Sequence, residues 1–552
     1  MRPPRGALAW AELAAALLIT ALIVVLNLRF STEAGALWRD EVSTVHLATR
    51  PTYAEVLRSL SLDSAPALYP TLLRLWSSPR SAGAQDGSLR GFGFVVATAM
   101  LGAVWVTGRA LDAGPPLLAL AVFAAHAGTV ETAGSLKPYG LGSLFIVLAF
   151  GALGRLTTSP RRRTLLGALG VAILAVQTLY HNAPLILAMC LAGATVAAVA
   201  RARSAALAVA VTGVAAAASL VPYVGVLLSS QSWRPLNQST IDAHSLVVRS
   251  TEMVTEGSWL LGGLWTAAVI LVCYGVARSL RRPVSGEAVP PGRRVLYAAL
   301  VIVVGTGLHL GFLRLAGRFP FVWQFVPLIG VVALAGDVVL AGTRSLRLAR
   351  LGVAVLAAVL AFPVSIDRVV VRQTNVDLIA QYVEARAQRG DLIVVNPWYV
   401  GITFNRYYHG PVTWMTLPPM EDLTIHRYDL LKLRMASAEP LAPLYRAIQE
   451  PLESGHRVWL VGGVAFPSAG RLPPVLPPAP GLPTGWSDAP YEIGWAVQAG
   501  YFVQTHAERL DVVRIPVDRP VNRLESVGLM VVEGWRPPEP KTGKSKIPYS
   551  PR

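Results

Sequence analysis

Long apolar runs constrain this chain more than anything else in it. A helix of about 20 apolar residues crosses a hydrocarbon layer of about 30 Å, and few soluble cores have room for many of that length. Such runs stand near residues 11–29, 91–108, 115–129, 138–154, 164–180, 183–200, 204–228, 258–277, 295–313, 321–341 and 348–365. Lipid offers the backbone no hydrogen bonds, so each run is expected to be helical. The fold class predicted is mainly α, a polytopic transmembrane bundle of about eleven spans. With 53% hydrophobic and 15% charged residues among 552, the chain is too apolar for a soluble protein of that length. The first run, Leu13 to Leu28, resembles a signal-peptide core, but no small-residue cleavage site precedes Arg29, so it is read as an uncleaved span.

Alternating the loops gives one side seventeen arginines and the other, among its short loops, only Lys137, Arg234, Arg249, Arg314 and Arg318. By the positive-inside bias the first side is cytoplasmic, with the N-terminus in the cytoplasm and the C-terminal region outside. The Ala/Arg/Pro-rich usage suggests a GC-rich bacterial genome, and hence a bacterial inner membrane as the location. From Ser365 onward there are 20 Lys+Arg against 18 Asp+Glu, which leaves 29 against 14, or +15 of the net +17, in the membrane part. Basic charge concentrated in membrane loops indicates topology and anionic membrane lipid as a partner, not nucleic acid. Cys190 and Cys273 both lie in apolar runs, which excludes a disulfide framework and a cysteine metal site.

Three regions follow: a transmembrane domain over 1–365, a soluble α/β domain over 366–536 and a disordered tail over 537–552. In the first outer loop, 30–90, apolar residues recur at helical spacing around Tyr53 to Leu60 and Leu68 to Trp76, which predicts two amphipathic helices on the membrane. Past residue 365 a helical stretch, Val376 to Gln388, leads through Gly390-Asp391 into Leu392 to Val395. A second helix-then-strand unit ends at Arg457 to Val461, and a last strand pattern runs from Val527 to Val532. Prolines dominate Arg471 to Pro490, read as a loop or lid.

The loop assignment alone puts Asp40, Glu41, Asp63, Lys137, Tyr139, Tyr180, His181, Arg234, His309, Arg314 and Arg318 on one face. Carboxylates among lysine, arginine and histidine suit attack by a hydroxyl on a carbon bearing a phosphate. The cations hold the leaving phosphate and an aspartate takes the proton. The spans are read as largely free of buried charge, which disfavours a transport path.

Trp38-Arg39-Asp40-Glu41 after the first span, Asp63-Ser64-Ala65-Pro66-Ala67-Leu68-Tyr69-Pro70, Leu89-Arg90 at the second span and Ser135-Leu136-Lys137-Pro138-Tyr139 together form a pattern. It resembles the type C (GT-C) membrane glycosyltransferases, specifically their bacterial protein O-mannosyltransferase and aminoarabinose transferase branch. Arg318-Phe319-Pro320 resembles a further element before a late span, with Phe where Tyr is common. The resemblance covers roughly residues 9–410. Asp63 is followed by Ser-Ala-Pro where His-Pro-Pro is common, and a second arginine upstream of Tyr139 is missing.

The resemblance implies a GT-C membrane domain that moves a sugar, hexose or pentose, from a polyprenyl-phosphate donor to a glycan, lipid or protein hydroxyl outside the cytoplasm, with inversion. Asp40 would be the general base, and Glu41 would orient it or, with Asp40, hold a metal. Lys137 and Arg318 would bind the donor phosphate, and Asp63, Tyr69, Tyr139 and His181 would contact substrate. No cofactor is fixed, and a divalent cation is left open. The alternatives are a flippase or transporter of lipid-linked sugar and a non-catalytic envelope assembly protein.

Overall fold

The computed structural model describes residues 6–63, 65–77, 85–230, 233, 241–280, 292–342, 344–468, 471–480 and 487–536. The expected disordered tail, 537–552, and Arg234 lie outside the described residues. The chain divides into two compact units, Met1–Gln373 and Thr374–Arg552.

The first unit is helical. α1 (Ala7–Glu33) is followed by three short helices, α2 (Arg39–Ala48), α3 (Tyr53–Ser59) and α4 (Leu68–Trp76), where the sequence predicts two. Next come α5 (Asp86–Ala110), α6 (Leu117–Ala125), α7 (Ala127–Gly134), α8 (Pro138–Thr158) and α9 (Arg162–Thr178). After these stand α10 (Ala183–Val199), α11 (Arg203–Ala218), α12 (Val224–Ser229) and α13 (Ala243–Thr255). The unit closes with α14 (Trp259–Leu280), α15 (Gly292–Leu315), α16 (Val322–Leu340) and α17 (Arg344–Arg368).

Among the described residues, nine helices are long and apolar enough to cross a membrane, or ten if one bent pair counts as a span. This is a multi-pass membrane protein, and the expected eleven spans differ at two places. The run 115–129 is α6 and α7, bent by 89°. His126 makes the break: its backbone leaves the helical region, and its buried ring accepts the Thr129 N–H at 3.1 Å, so a new helix starts there. The run 164–180 is α9, whose 17 residues reach only about 25 Å.

Helices in lipid associate through close packing rather than hydrophobic drive, so small residues decide where backbones meet. A Cβ on Gly93 of α5 would stand 1.9 Å from the Gly134 carbonyl oxygen of α7, so that contact requires glycine. It sets α7, and the turn after it, hard against α5.

The structure also corrects the reading of the spans as nearly free of buried charge. Glu12, Asp337 and Arg350 are all buried. Arg350 donates to Glu12 at 2.8 Å and to the Ala113 carbonyl at 2.9 Å, and stands 3.5 Å from Asp337. Arg347 closes on Glu12 as well. The Asp337 carboxylate accepts the Leu118 and Ala119 N–H groups at 3.0 and 3.1 Å, donors that the first turn of α6 otherwise leaves unsatisfied. Two acids and two arginines thus neutralise each other while fastening α1, α6, α16 and α17.

The second unit is an α/β layer. It contains α18 (Val376–Arg386), β1 (Leu392–Val395), α19 (Val400–Tyr407), β2 (Trp414–Thr416), α20 (Tyr428–Ala436) and α21 (Ala442–Glu453). β3 (Arg457–Val461), α22 (Ala489–His506), β4 (Ala507–Val513) and β5 (Leu529–Trp535) complete it. The strand order is β2-β1-β3-β5-β4, with β1 parallel to both neighbours and β5 antiparallel to both of its own. Asp391 pins the start of β1 to β3: it accepts the Arg457 N–H and the Trp459 indole N–H, each at 3.0 Å.

Candidate active site

Asp40 and Glu41 occupy the first turn of α2, where acidic side chains suit the helix dipole. Neighbours on a helix diverge by about 100°, so adjacent carboxylates cannot face one way. Glu41 turns inward and has no exposed surface. It accepts from Arg90 of α5 at 2.5 Å and from the Leu136 N–H at 3.0 Å. Asp40 remains 28% exposed, 3.9 Å from Arg39.

Lys137 reaches Asp40's face of α2 from the turn between α7 and α8. Pro138 opens α8 and disfavours helix in the residue before it, which holds Lys137 extended. Thr44, one turn along from Asp40, accepts from Lys137 Nζ at 3.0 Å and donates to the Asp40 carbonyl at 2.9 Å. Burial pushes the lysine pKa down, but the charges of Asp63, Asp40, Tyr139 and Glu41 outweigh it and hold it above its ordinary value. The fields of these four groups therefore all act on one ammonium.

Arg318 joins from the turn between α15 and α16. Gly317, at φ +60°, ends α15 in the left-handed region, and the Arg318 N–H closes back on the Leu313 carbonyl at 3.0 Å. The guanidinium lies within electrostatic reach of Tyr139, as do Lys137, Asp40 and Asp63. Tyr139 stacks on Trp323 at 6.0 Å, and Trp323 on Phe321 at 4.4 Å, so an aromatic row borders the charged groups. Gln324 steadies the row by accepting the Phe321 N–H at 3.1 Å.

Tyr69 of α4 is buried edge-on to Phe92 at 5.8 Å, and burial followed by the charges of Glu41 and Asp63 raises its pKa well above the ordinary value. Its hydroxyl and the second Glu41 oxygen have no hydrogen-bond partner among the described residues. Asp63 follows a short 3-10 turn and does not cap α4, which starts at Leu68 behind Ala67. His181 sets its ring against Phe312 at 5.2 Å, and His309 is buried inside α15 against Phe325. Tyr180 packs edge-on to Tyr223 at 6.0 Å.

Asp40, Asp63, Lys137 and Arg318 thus all bear electrostatically on Tyr139, and Asp63 and Glu41 on Tyr69. Thr44 and the Trp323 row were not singled out from sequence. Thr44 is visible only once 39–48 is known to be helical and places it on the Asp40 face. Arg90 had a signal: an arginine at the mouth of an apolar span needs a counter-charge.

The expected cation on Asp40 and Glu41 does not fit these residues. Glu41 is committed to a guanidinium and a backbone N–H, and no group of three or more His, Cys, Asp or Glu side chains among the described residues could hold a metal ion. No protein-family model matches the chain. No curated protein matches it by sequence. In structure it is similar to the crystal structure of ArnT from Cupriavidus metallidurans bound to undecaprenyl phosphate, with a TM-score of 0.46 and 12% identity over 81% of this chain and 92% of that one.

Proposed function

We propose that the chain is an inverting glycosyltransferase that moves a sugar from a polyprenyl-phosphate donor to an acceptor hydroxyl. The acceptor oxygen attacks the anomeric carbon, the bond from that carbon to the phosphate oxygen breaks, and polyprenyl phosphate leaves with the electron pair. Asp40 takes the acceptor proton, while Lys137 and Arg318 stabilise the charge growing on the phosphate. Asp63, Tyr69, Tyr139 and His181 are the substrate-contact candidates. On this reading the site opens on the extracytoplasmic face of a bacterial inner membrane, with the N-terminus cytoplasmic and the C-terminal unit extracytoplasmic.

The observation that carries the reading is the field at Lys137, where Asp40 and Asp63 both act on one buried ammonium and Arg318 reaches the adjoining Tyr139. A partly exposed acid that shares Thr44 with a buried ammonium is what the reaction needs. Glu41 is assigned no proton transfer, because Arg90 already uses it. The test is Asp40→Asn in cells lacking the native protein, with lipid-linked sugars and envelope glycans followed by mass spectrometry. The variant should insert normally and lose transfer by about 10²- to 10⁴-fold. Near-normal transfer would eliminate Asp40 as the base.

A further inference from the structure

The second unit holds a cavity of about 360 Å³ beside the edge strand β2, within the usual range for small-ligand sites. Asn405 of α19, Trp414 of β2, Glu421, Asp422 and Thr424 of the loop after β2, and Arg434 of α20 line it. We infer that this cavity binds a saccharide unit.

The lining sets Glu421 and Asp422 against Arg434, and Arg427, which is not in the lining, pairs with the second carboxylate. Arg434 stands 3.1 Å from Glu421, and Arg427 stands 2.7 Å from Asp422. Asp422 also accepts the Thr424 N–H at 3.0 Å and hydroxyl at 2.6 Å. Burial raises its pKa, and these bonds together with the Arg427 charge bring it below the ordinary carboxylate value. A cation would find both carboxylates occupied, and an anion would be repelled by them. A purely apolar guest would desolvate the ion pairs without replacing their water, at a cost in affinity.

The Asn405 amide makes no hydrogen bond to the described residues, so it keeps both a donor and an acceptor for a guest. The half-buried Trp414 indole, fixed edgewise against Phe404 at 5.2 Å, supplies a flat apolar wall. A neutral molecule with C–H bonds on one face and hydroxyls around its rim satisfies all of these at once. A sugar ring is such a molecule.

The inference does not rest on the transfer reading, and the experiment keeps the two apart. The full-length protein in lipid nanodiscs is titrated with the methyl glycosides of mannose, galactose and arabinose, and binding is read by saturation-transfer NMR. At least one glycoside should receive saturation, equally in wild type and Asp40→Asn. Trp414→Ala and Asn405→Ala should each weaken that binding about tenfold, equivalent to 1.4 kcal/mol. If Trp414→Ala disturbs the sheet, Asn405→Ala carries the test alone. No transfer from any of the three glycosides, or transfer unchanged by the variants that fold, overturns the inference.

Discussion

Glu41 and Arg90 form a buried ion pair that fastens α2 to α5, and a double-mutant cycle measures how much the site depends on it. Glu41 has no exposed surface and Arg90 only 3%, with an oxygen–nitrogen distance of 2.5 Å. Removing either partner strands the other charge, which costs roughly 3–5 kcal/mol. In Arg90→Met the carboxylate keeps only the Leu136 N–H, and in Glu41→Gln the guanidinium keeps the Ala36 carbonyl at 3.3 Å. Removing both charges leaves no stranded ion, and the glutamine oxygen still accepts from Leu136. The double variant is therefore expected near wild type, so the coupling energy is close to the sum of the two single losses, about 6 kcal/mol or more. Reversible unfolding in mixed detergent micelles reads all four proteins. Additivity within about 0.5 kcal/mol would refute the reasoning, because independent sites behave that way.

Two further outcomes test the frame around the site. Asp391 is held below its ordinary pKa: burial pushes it up, and bonds from Gln388, Trp459 and Arg457 bring it down further. Its contribution is complete above the unfolded value near about 4, and fades as pH falls through the lower folded value. Asp391→Asn should thus cost roughly 2–3 kcal/mol at neutral pH and progressively less in acid, in chemical unfolding followed by circular dichroism. Gly93→Ala should lower the thermal midpoint and loosen Leu136 and Lys137, seen as faster amide exchange in that turn, because the new methyl overlaps the Gly134 carbonyl.

The membrane helices were legible because apolar length and helical period are local properties, and nine runs fall on long helices. The break at His126 was not legible, since it depends on a side chain capping its own next turn. Nor were the buried charges: Glu12 and Arg347 meet across 335 residues of sequence, and each alone looks like an interfacial residue. In the second unit β1 stood out as a β-branched run and β3 as the close of a helix-then-strand unit. β2 has three residues and β4 is mostly solvent-facing, so neither shows the buried-strand pattern, and the strand order rests on contacts no window contains. At the site, the residue types were legible and their division of labour was not. Asp40 and Glu41 read as a pair in sequence, and only the 100° step between helical neighbours separates them.

That separation gives the proposed reaction a charge balance inside the pocket. Glu41 and Arg90 cancel each other, so on that proposal the groups that face the reaction are Asp40 and Asp63 against Lys137 and Arg318. When the acceptor proton passes to Asp40 the pocket loses one negative charge, and the departing phosphate gains one at the same moment. Charge moves from the aspartate to the phosphate while the local sum stays fixed, so each cation is needed most where the other half of the step occurs. Lys137→Met should therefore lower kcat by about 10²- to 10³-fold with little change in donor KM. Added to Asp40→Asn it should cost far less than a second factor of that size, because groups that serve one transition state are not additive. Fully multiplicative losses, measured with donor in excess, would mean that the two residues act in separate steps and that the pocket does not move charge in this way.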